Sequence, residues 1–339
     1  MRKTGSKHRR ILFGTLLIAL AVAFLAETRA AGHRSVPATE RTAQVSPPSP
    51  GVFTIQDNVN LVLLDVSVKD SRGGYVTGLS KTNFQVYEDG HKRDITQFAS
   101  VDTPVTLGLV VDNSGSMRFK RPEVVTAGLA FAKQSNPQDE FFVINFNNSV
   151  VRGLAPQTLF TDNLQALRAG LYYGQPAGQT ALYDAVAYAL KHLEYGHRDK
   201  RTLIVVSDGG DNVSKTSFAD LLKVIEASRA TVYTVGLYDA DDQDLNPGVL
   251  RKMSSISGGE FFQPEKLSDV VPVFDKISKD IRNCYAVGYV PDEINDKRVV
   301  RSVKVTAAEN DRKLLVRTRT TYSTASLSQL AAEQELRRR

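Results

Sequence analysis

Two apolar runs, Val105 to Val111 and Thr202 to Val206, constrain the fold more than any other feature. Both are β-branched or aliphatic along nearly their whole length, so neither face of either strand suits water. That is the pattern of strands buried on both faces of a parallel sheet. Parallel neighbours need a crossover connection, usually a helix. The chain supplies helical spacing of apolar residues in Pro122 to Gln134, Asn163 to Leu171, Ala181 to Leu193, Phe218 to Ser228, Pro247 to Ser257 and Leu267 to Ile281. Further strands are expected at Thr231 to Leu237 and Gly259 to Gln263, and Asp139 to Leu154 reads as two strands about a tight turn at Asn147-Asn148. The fold class is therefore α/β: a doubly wound, mostly parallel sheet flanked by helices, with right-handed crossovers.

The flanks read differently. Before the α/β region, NVNLVLLDVSVKD alternates apolar and polar positions as a strand does. NFQVYEDGHKRDITQFASV reads as two strands around Glu88-Asp89-Gly90, whose Asp-Gly is a strong hairpin signal. After it come NCYAVGYVP, RSVKVTA and KLLVRTRTTYS, strand-like and with no helices between them. The first flank has too little core to stand alone, and the second cannot continue the α/β layer. The economical arrangement pairs residues 283–323 with 53–103 in one small β-sandwich, into which the α/β domain, 104–282, is inserted. Residues 324–339 form a tail that is helical by propensity and basic at its end, where fraying is expected.

The amino terminus carries Arg2, Lys3, Lys7, Arg9 and Arg10 ahead of the apolar run Ile11 to Ala26, then small residues around Thr28, Ala30 and Ala31. This is the layout of a secretory signal peptide over residues 1–30, cleaved after Ala30. The alternative is an uncleaved membrane anchor, for which the run is short. Residues 31–52, rich in Pro, Ser and Thr, are expected to be a disordered linker. The formal net charge of +6 is concentrated at this end: six basic residues and one acid within residues 1–30 leave the rest near +1. The basic isoelectric point is thus a property of the targeting segment and does not argue for nucleic-acid binding. Cys284 is the single cysteine, so no intrachain disulfide forms; in its apolar setting a buried, inert thiol is expected. An exported chain belongs to the periplasm, cell envelope or extracellular space.

Five oxygen-bearing residues fall where strands end in polar turns or on the loop between: Asp112, Ser114 and Ser116 in LGLVVDNSGSM, Thr180 in AGQTALYDA, and Asp208 in RTLIVVSDGGDN. In an open α/β sheet, ligands bind outside the carboxyl ends of the strands. Two carboxylates and three hydroxyls converging there make an oxygen-only site for a hard cation, Mg²⁺ first and Mn²⁺ or Ca²⁺ as alternatives. Asp and Ser are also common turn and helix-capping residues, so the first group alone is weak. Order and spacing of all three groups carry the reading.

This pattern resembles the metal-ion-dependent adhesion site of von Willebrand factor type A (VWFA) domains, whose D-x-S-x-S, distant Thr and distant Asp match Asp112, Ser114, Ser116, Thr180 and Asp208. The flanks VTGLSKTNFQVYEDG and CYAVGYVP resemble those of VWFA-related secreted proteins of acidobacteria, and the resemblance covers roughly residues 58–322. It implies that Ser114 and Ser116 touch the metal directly, that Asp112 and Asp208 act through bound water, and that Thr180 joins when ligand binds. One coordination position then stays open for an Asp or Glu carboxylate of a partner protein. Gln179 stands where Gly is frequent in the family, which removes no ligand. The implied function is an exported, metal-dependent protein-binding module for adhesion or scaffolding, with movement of the last helix, Leu267 to Ile281, coupled to binding.

Two alternatives keep the fold and change the chemistry: a metal-assisted hydrolase, and a metal-independent envelope scaffold. The sequence disfavours an enzyme. His8, His33, His91, His192 and His197 show no metal-ligand spacing, and His192 and His197 are expected to face solvent at a helix end. Gly209-Gly210 lacks the lysine and spacing of a phosphate loop, and no G-x-S-x-G elbow is present. Asp211 would serve as a base only if it were more than a turn residue. A partnership with a cytosolic ATPase conflicts with export. The acidic loop Asp239, Asp241, Asp242 and Asp244 lacks the glycine and terminal glutamate of an EF-hand and is expected to be solvated.

Overall fold

A computed structural model describes residues 61–100, 102–238, 246–291, 299–310, 312–330 and 332. The expected signal peptide and linker lie outside the described residues, as do the acidic loop Asp239 to Asp244 and most of the tail. In chain order the strands and helices are β1 (Val62–Asp70), β2 (Phe84–Glu88), β3 (His91–Arg93), β4 (Ile95–Ala99), β5 (Val105–Asp112), α1 (Arg121–Gln134), β6 (Glu140–Phe146), β7 (Val150–Arg152), α2 (Leu164–Leu171), α3 (Leu182–His192), β8 (Lys200–Ser207), α4 (Phe218–Ala227), β9 (Thr231–Gly236), α5 (Pro247–Ser257), β10 (Phe261–Phe262), α6 (Val270–Arg282), β11 (Tyr285–Tyr289), β12 (Val300–Ala307), β13 (Leu314–Arg317) and β14 (Thr321–Ser323).

The central sheet has the order β10-β9-β8-β5-β6-β7, parallel except for β7. Every residue of β5 is buried, which explains why its sequence does not alternate. Helices α1, α2 and α6 cover one face, around Leu107, Leu109, Phe131, Phe141 and Phe274. Helices α3, α4 and α5 cover the other, around Phe142, Ile144, Leu203 and Val205. The observed class is thus a doubly wound α/β sheet. Local chemistry sets the helix ends: the Asn163 side chain accepts from Gln165 N (2.8 Å) and Ala166 N (3.0 Å) to cap α2, and α5 stops at Gly258, whose φ of 85° favours glycine.

Gly108, in the middle of β5, lets the two neighbouring strands pack over it. A Cβ there would lie 2.3 Å from Phe142 Cζ and 2.4 Å from Leu203 Cδ2, both in the core. Gly108→Ala is expected to cost about 1–3 kcal/mol by overpacking, read as a lower urea midpoint; an unchanged midpoint would show that this face of the sheet is loose.

Two four-stranded antiparallel sheets, β13-β1-β11-β4 and β14-β12-β2-β3, form the sandwich from both flanks. Its core includes Val66, Val86, Tyr285, Val287 and Val305. Ala99 pairs with Ala286, so the two ends of the inserted α/β region are joined by neighbouring strands. Two expected strands are broken here. After the Asp89-Gly90 turn, with φ of 48° and 83°, the strand splits at Asp94: β3 pairs with β2 in one sheet and β4 with β11 in the other. Likewise KLLVRTRTTYS is divided at Thr318 to Thr320 between β13 on β1 and β14 on β12. Both breaks are corners at which the chain changes sheets.

His192 corrects another expectation. It is buried, not solvent-facing: its ring packs on Phe142 and Phe160, with centroids 4.6 and 5.2 Å away, and Nε2 lies 3.1 Å from Leu159 O. Burial depresses its pKa. His197 is exposed and pairs with Glu140 at 2.8 Å. Cys284 is half-buried, its thiol donates to Asp280 O at 3.1 Å, and burial pushes that thiol up to about 12.

Candidate metal-binding site

Strands β5 and β8 are central neighbours, and the chain leaves them toward opposite sides of the sheet, which opens a crevice at their carboxyl ends. Asp112 is the last residue of β5 and Asp208 follows the last residue of β8. Asp112 is fully buried. Its Oδ1 accepts from Ser114 N (2.8 Å) and its Oδ2 from Ser207 Oγ (2.7 Å). The β5 turn then winds through a 3₁₀ turn, Gly115–Met117, that brings the two serine hydroxyls within 3.1 Å of each other. Ser116 Oγ donates to Asp208 Oδ2 at 2.7 Å, and Gly210 N donates to Asp208 Oδ1 at 3.1 Å. Asp112, Ser114, Ser116 and Asp208 thus form one connected polar cluster.

Thr180 reaches the same end of the sheet on the loop before α3. Gly115 N donates to Gly178 O (3.2 Å), tying that loop to the serine turn, and Thr180 N donates to Asn212 Oδ1 (2.9 Å). Among the described residues, no hydrogen bond joins the Thr180 hydroxyl to the other four side chains. The left-handed conformation of this loop falls at Gly178, with φ of 84°, one residue before Gln179. Asp211 does not act alone in a turn: it accepts from Tyr183 N (2.8 Å) at the start of α3 and from Ser214 Oγ (2.6 Å).

The electrostatics are unbalanced. Burial, and then the neighbouring charge of Asp208, push Asp112 up to about 6. Among the described residues neither carboxylate has an ion pair. Tyr238 is pushed up to about 12 by burial and by Asp208, and among the described residues its hydroxyl has no hydrogen-bond partner. Two carboxylates with hydroxyls between them are hard oxygen donors, and a divalent cation fits this set by charge and by ligand type. The described residues contain no group of three or more His, Cys, Asp or Glu placed to hold a metal.

Four supporting residues were not singled out from the sequence. Ser207 holds Asp112, Asn212 holds Thr180, Asn113 binds the loop after α2, and Arg121 binds the same loop from α1. Ser207 and Asn212, beside Asp208 in VVSDGGDN, and Asn113, between Asp112 and Ser114, gave a local hint; Arg121 gave none.

Residues 107–210 match the family model of the von Willebrand factor type A domain. This match spans β5 to the turn after β8 and includes all five oxygen-bearing residues. No curated protein matches the sequence. Among solved structures, the chain is similar to a von Willebrand factor type A protein from Catenulispora acidiphila (14% identity, TM-score 0.47, covering 83% of this chain and 80% of that one). It is also similar to proximal thread matrix protein 1 of the mussel byssus with a zinc-occupied MIDAS motif (14%, TM-score 0.45, 54% and 48%). A third is an aerotolerance-related membrane protein from Bacteroides fragilis (14%, TM-score 0.43, 52% and 98%).

Proposed function

We propose that this chain is an exported, metal-dependent protein-binding module. Its VWA domain, residues 104–282, holds a divalent cation through Asp112, Ser114, Ser116, Thr180 and Asp208, and the sandwich of residues 53–103 and 283–323 serves as its platform. The observation that carries the reading is the buried Asp112 joined through two serines to Asp208 with no cationic side chain among the described residues paired to either. A bound Mg²⁺, or Mn²⁺ or Ca²⁺, would supply the missing positive charge and a position for an Asp or Glu carboxylate of a partner protein. Ser114, Ser116 and Thr180 are neutral donors, so they would leave the cation electrophilic. Ser207 and the Ser114 amide orient Asp112; Gly210 N orients Asp208. In this reading the site binds and does not catalyse: His192 is engaged with Leu159, His197 with Glu140, and Asp211 with the start of α3.

The full chain immobilised in Mg²⁺ is expected to retain envelope or extracellular proteins that EDTA releases and that Ser116→Ala does not retain. The same proteins held by both chains in EDTA would refute the metal-dependent reading. Export rests on the basic, apolar and small-residue order of residues 1–30. The secreted chain is expected to begin at Ala31 by mass spectrometry; a chain retaining Met1 would instead mark an anchor. Among the described residues, no helix is long and apolar enough to cross a membrane.

A further inference from the structure

Beside the candidate metal site stands a group of aromatic side chains that the metal chemistry does not use. Phe119, between the serine turn and α1, is 83% exposed; Tyr172 and Tyr173, directly after α2, are 47% and 54% exposed. Large exposed aromatics gathered on one rim mark interaction surfaces more often than scattered apolar residues do. The two segments that carry them are tied together and to the site. Arg121, buried and two residues after Phe119, donates from Nη1 to Gly174 O (2.6 Å) and from Nη2 to Leu171 O (2.9 Å) and Tyr173 O (2.8 Å). Asn113, between Asp112 and Ser114, donates from Nδ2 to Tyr173 O at 3.1 Å. The aromatic rim is therefore held at a set distance from the serine turn and does not swing on a free loop.

The rim is also positively charged. Arg118 adjoins Phe119, and the Arg168 guanidinium lies 6.0 Å from the Tyr172 ring centroid. Both arginines are exposed, and neither has an acidic partner among the described residues. Aromatic faces next to unpaired guanidinium groups suit a segment that is acidic and apolar together.

We infer that Phe119, Tyr172 and Tyr173, with Arg118 and Arg168, select the partner: an acidic protein segment in which the metal-binding Asp or Glu is flanked by aromatic or aliphatic side chains. This rests on the metal-dependent reading above and deepens it. The metal supplies the demand for a carboxylate, and the rim supplies the choice among carboxylates. Truncation of a buried aromatic anchor weakens binding by roughly tenfold or more.

The test pans a phage-displayed library of peptides with a central Asp or Glu and random flanks against the full chain in Mg²⁺ and in EDTA. The same selection is run against the double variant Phe119→Ser/Tyr173→Ser, whose exposed positions carry no core packing. The expected result is Mg²⁺-dependent enrichment of aromatic or aliphatic residues next to the acid. The enriched peptide should bind the double variant roughly tenfold or more weakly, while that variant keeps its Mg²⁺-dependent thermal shift. Mg²⁺-dependent enrichment of acids with no preference in the flanks would overturn the rim's role and leave the metal-dependent binding reading standing. Enrichment of apolar peptides equally in EDTA would also overturn it. No Mg²⁺-dependent enrichment at all would overturn both readings.

Discussion

Asp280→Ala is expected to lower stability by about 3–5 kcal/mol, the range for removing one partner of a buried ion pair. Asp280, on α6, is almost completely buried where the α/β domain meets the sandwich. Its Oδ1 accepts from Ser67 Oγ of β1 (2.8 Å) and its Oδ2 from Tyr233 Oη of β9 (2.5 Å); the guanidinium of Arg317 on β13 also binds Oδ2. Burial alone would raise this carboxyl, but Arg317 together with the Tyr233 and Ser67 hydroxyls holds it below the usual carboxylate range. Lys69 extends the cluster to Glu260 at 3.0 Å. Truncation leaves Arg317, Tyr233 and Ser67 without their common acceptor, at a contact that draws on β1, β9, β13 and α6. Urea unfolding should show a lower midpoint, with the sandwich and the α/β domain still unfolding together. A change below about 1 kcal/mol, the ordinary scale for exposed pairs, would show that the cluster is solvated.

Removing divalent cations is expected to make stability fall with rising pH. The folded value of Asp112, about 6, lies above its ordinary 3.8. Between these values the folded chain holds a proton that the unfolded chain has released. Stability is therefore lost as pH rises through this window, and the loss is complete above about 6. Two units correspond to about 3 kcal/mol. A cation holding Asp112 ionised removes this slope, and at a hundredfold excess over Kd it adds about 2.7 kcal/mol. Urea midpoints at pH 4.5 and 7.5, in EDTA and in Mg²⁺, check it, with Asp112→Asn subtracting the titration of every other group. An equal pH slope in EDTA and Mg²⁺ would show that no cation reaches Asp112.

Burial explains what the sequence showed and what it hid. Val105 to Val111 and Thr202 to Val206 carry no charged residue and no polar alternation because both faces of β5 and β8 are covered, so local pattern alone revealed a parallel sheet. The cluster Asp112, Ser114, Ser116 and Asp208 was legible for a related reason: each group lies directly at the end of such a run. The sheet changes at Asp94 and at Thr318 to Thr320 were not legible, because alternation marks a strand without naming its partner, and both corners depend on pairings some two hundred residues apart. His192 misled for the opposite reason. Its helix-end position suggested solvent, but the aromatic shelter of Phe142 and Phe160 comes from other elements. The Arg121 contacts to Leu171, Tyr173 and Gly174 are equally non-local, and nothing near Arg121 in the sequence announces them.

The most direct test is calorimetric titration of the chain with Mg²⁺ and Mn²⁺ after EDTA treatment and dialysis, beside Asp208→Ala and Ser116→Ala. The account predicts binding of one cation per chain in the wild type and its loss in both variants, each of which should still show a cooperative thermal transition. Cation binding that survives both substitutions, or a wild-type chain that binds neither ion, would contradict it.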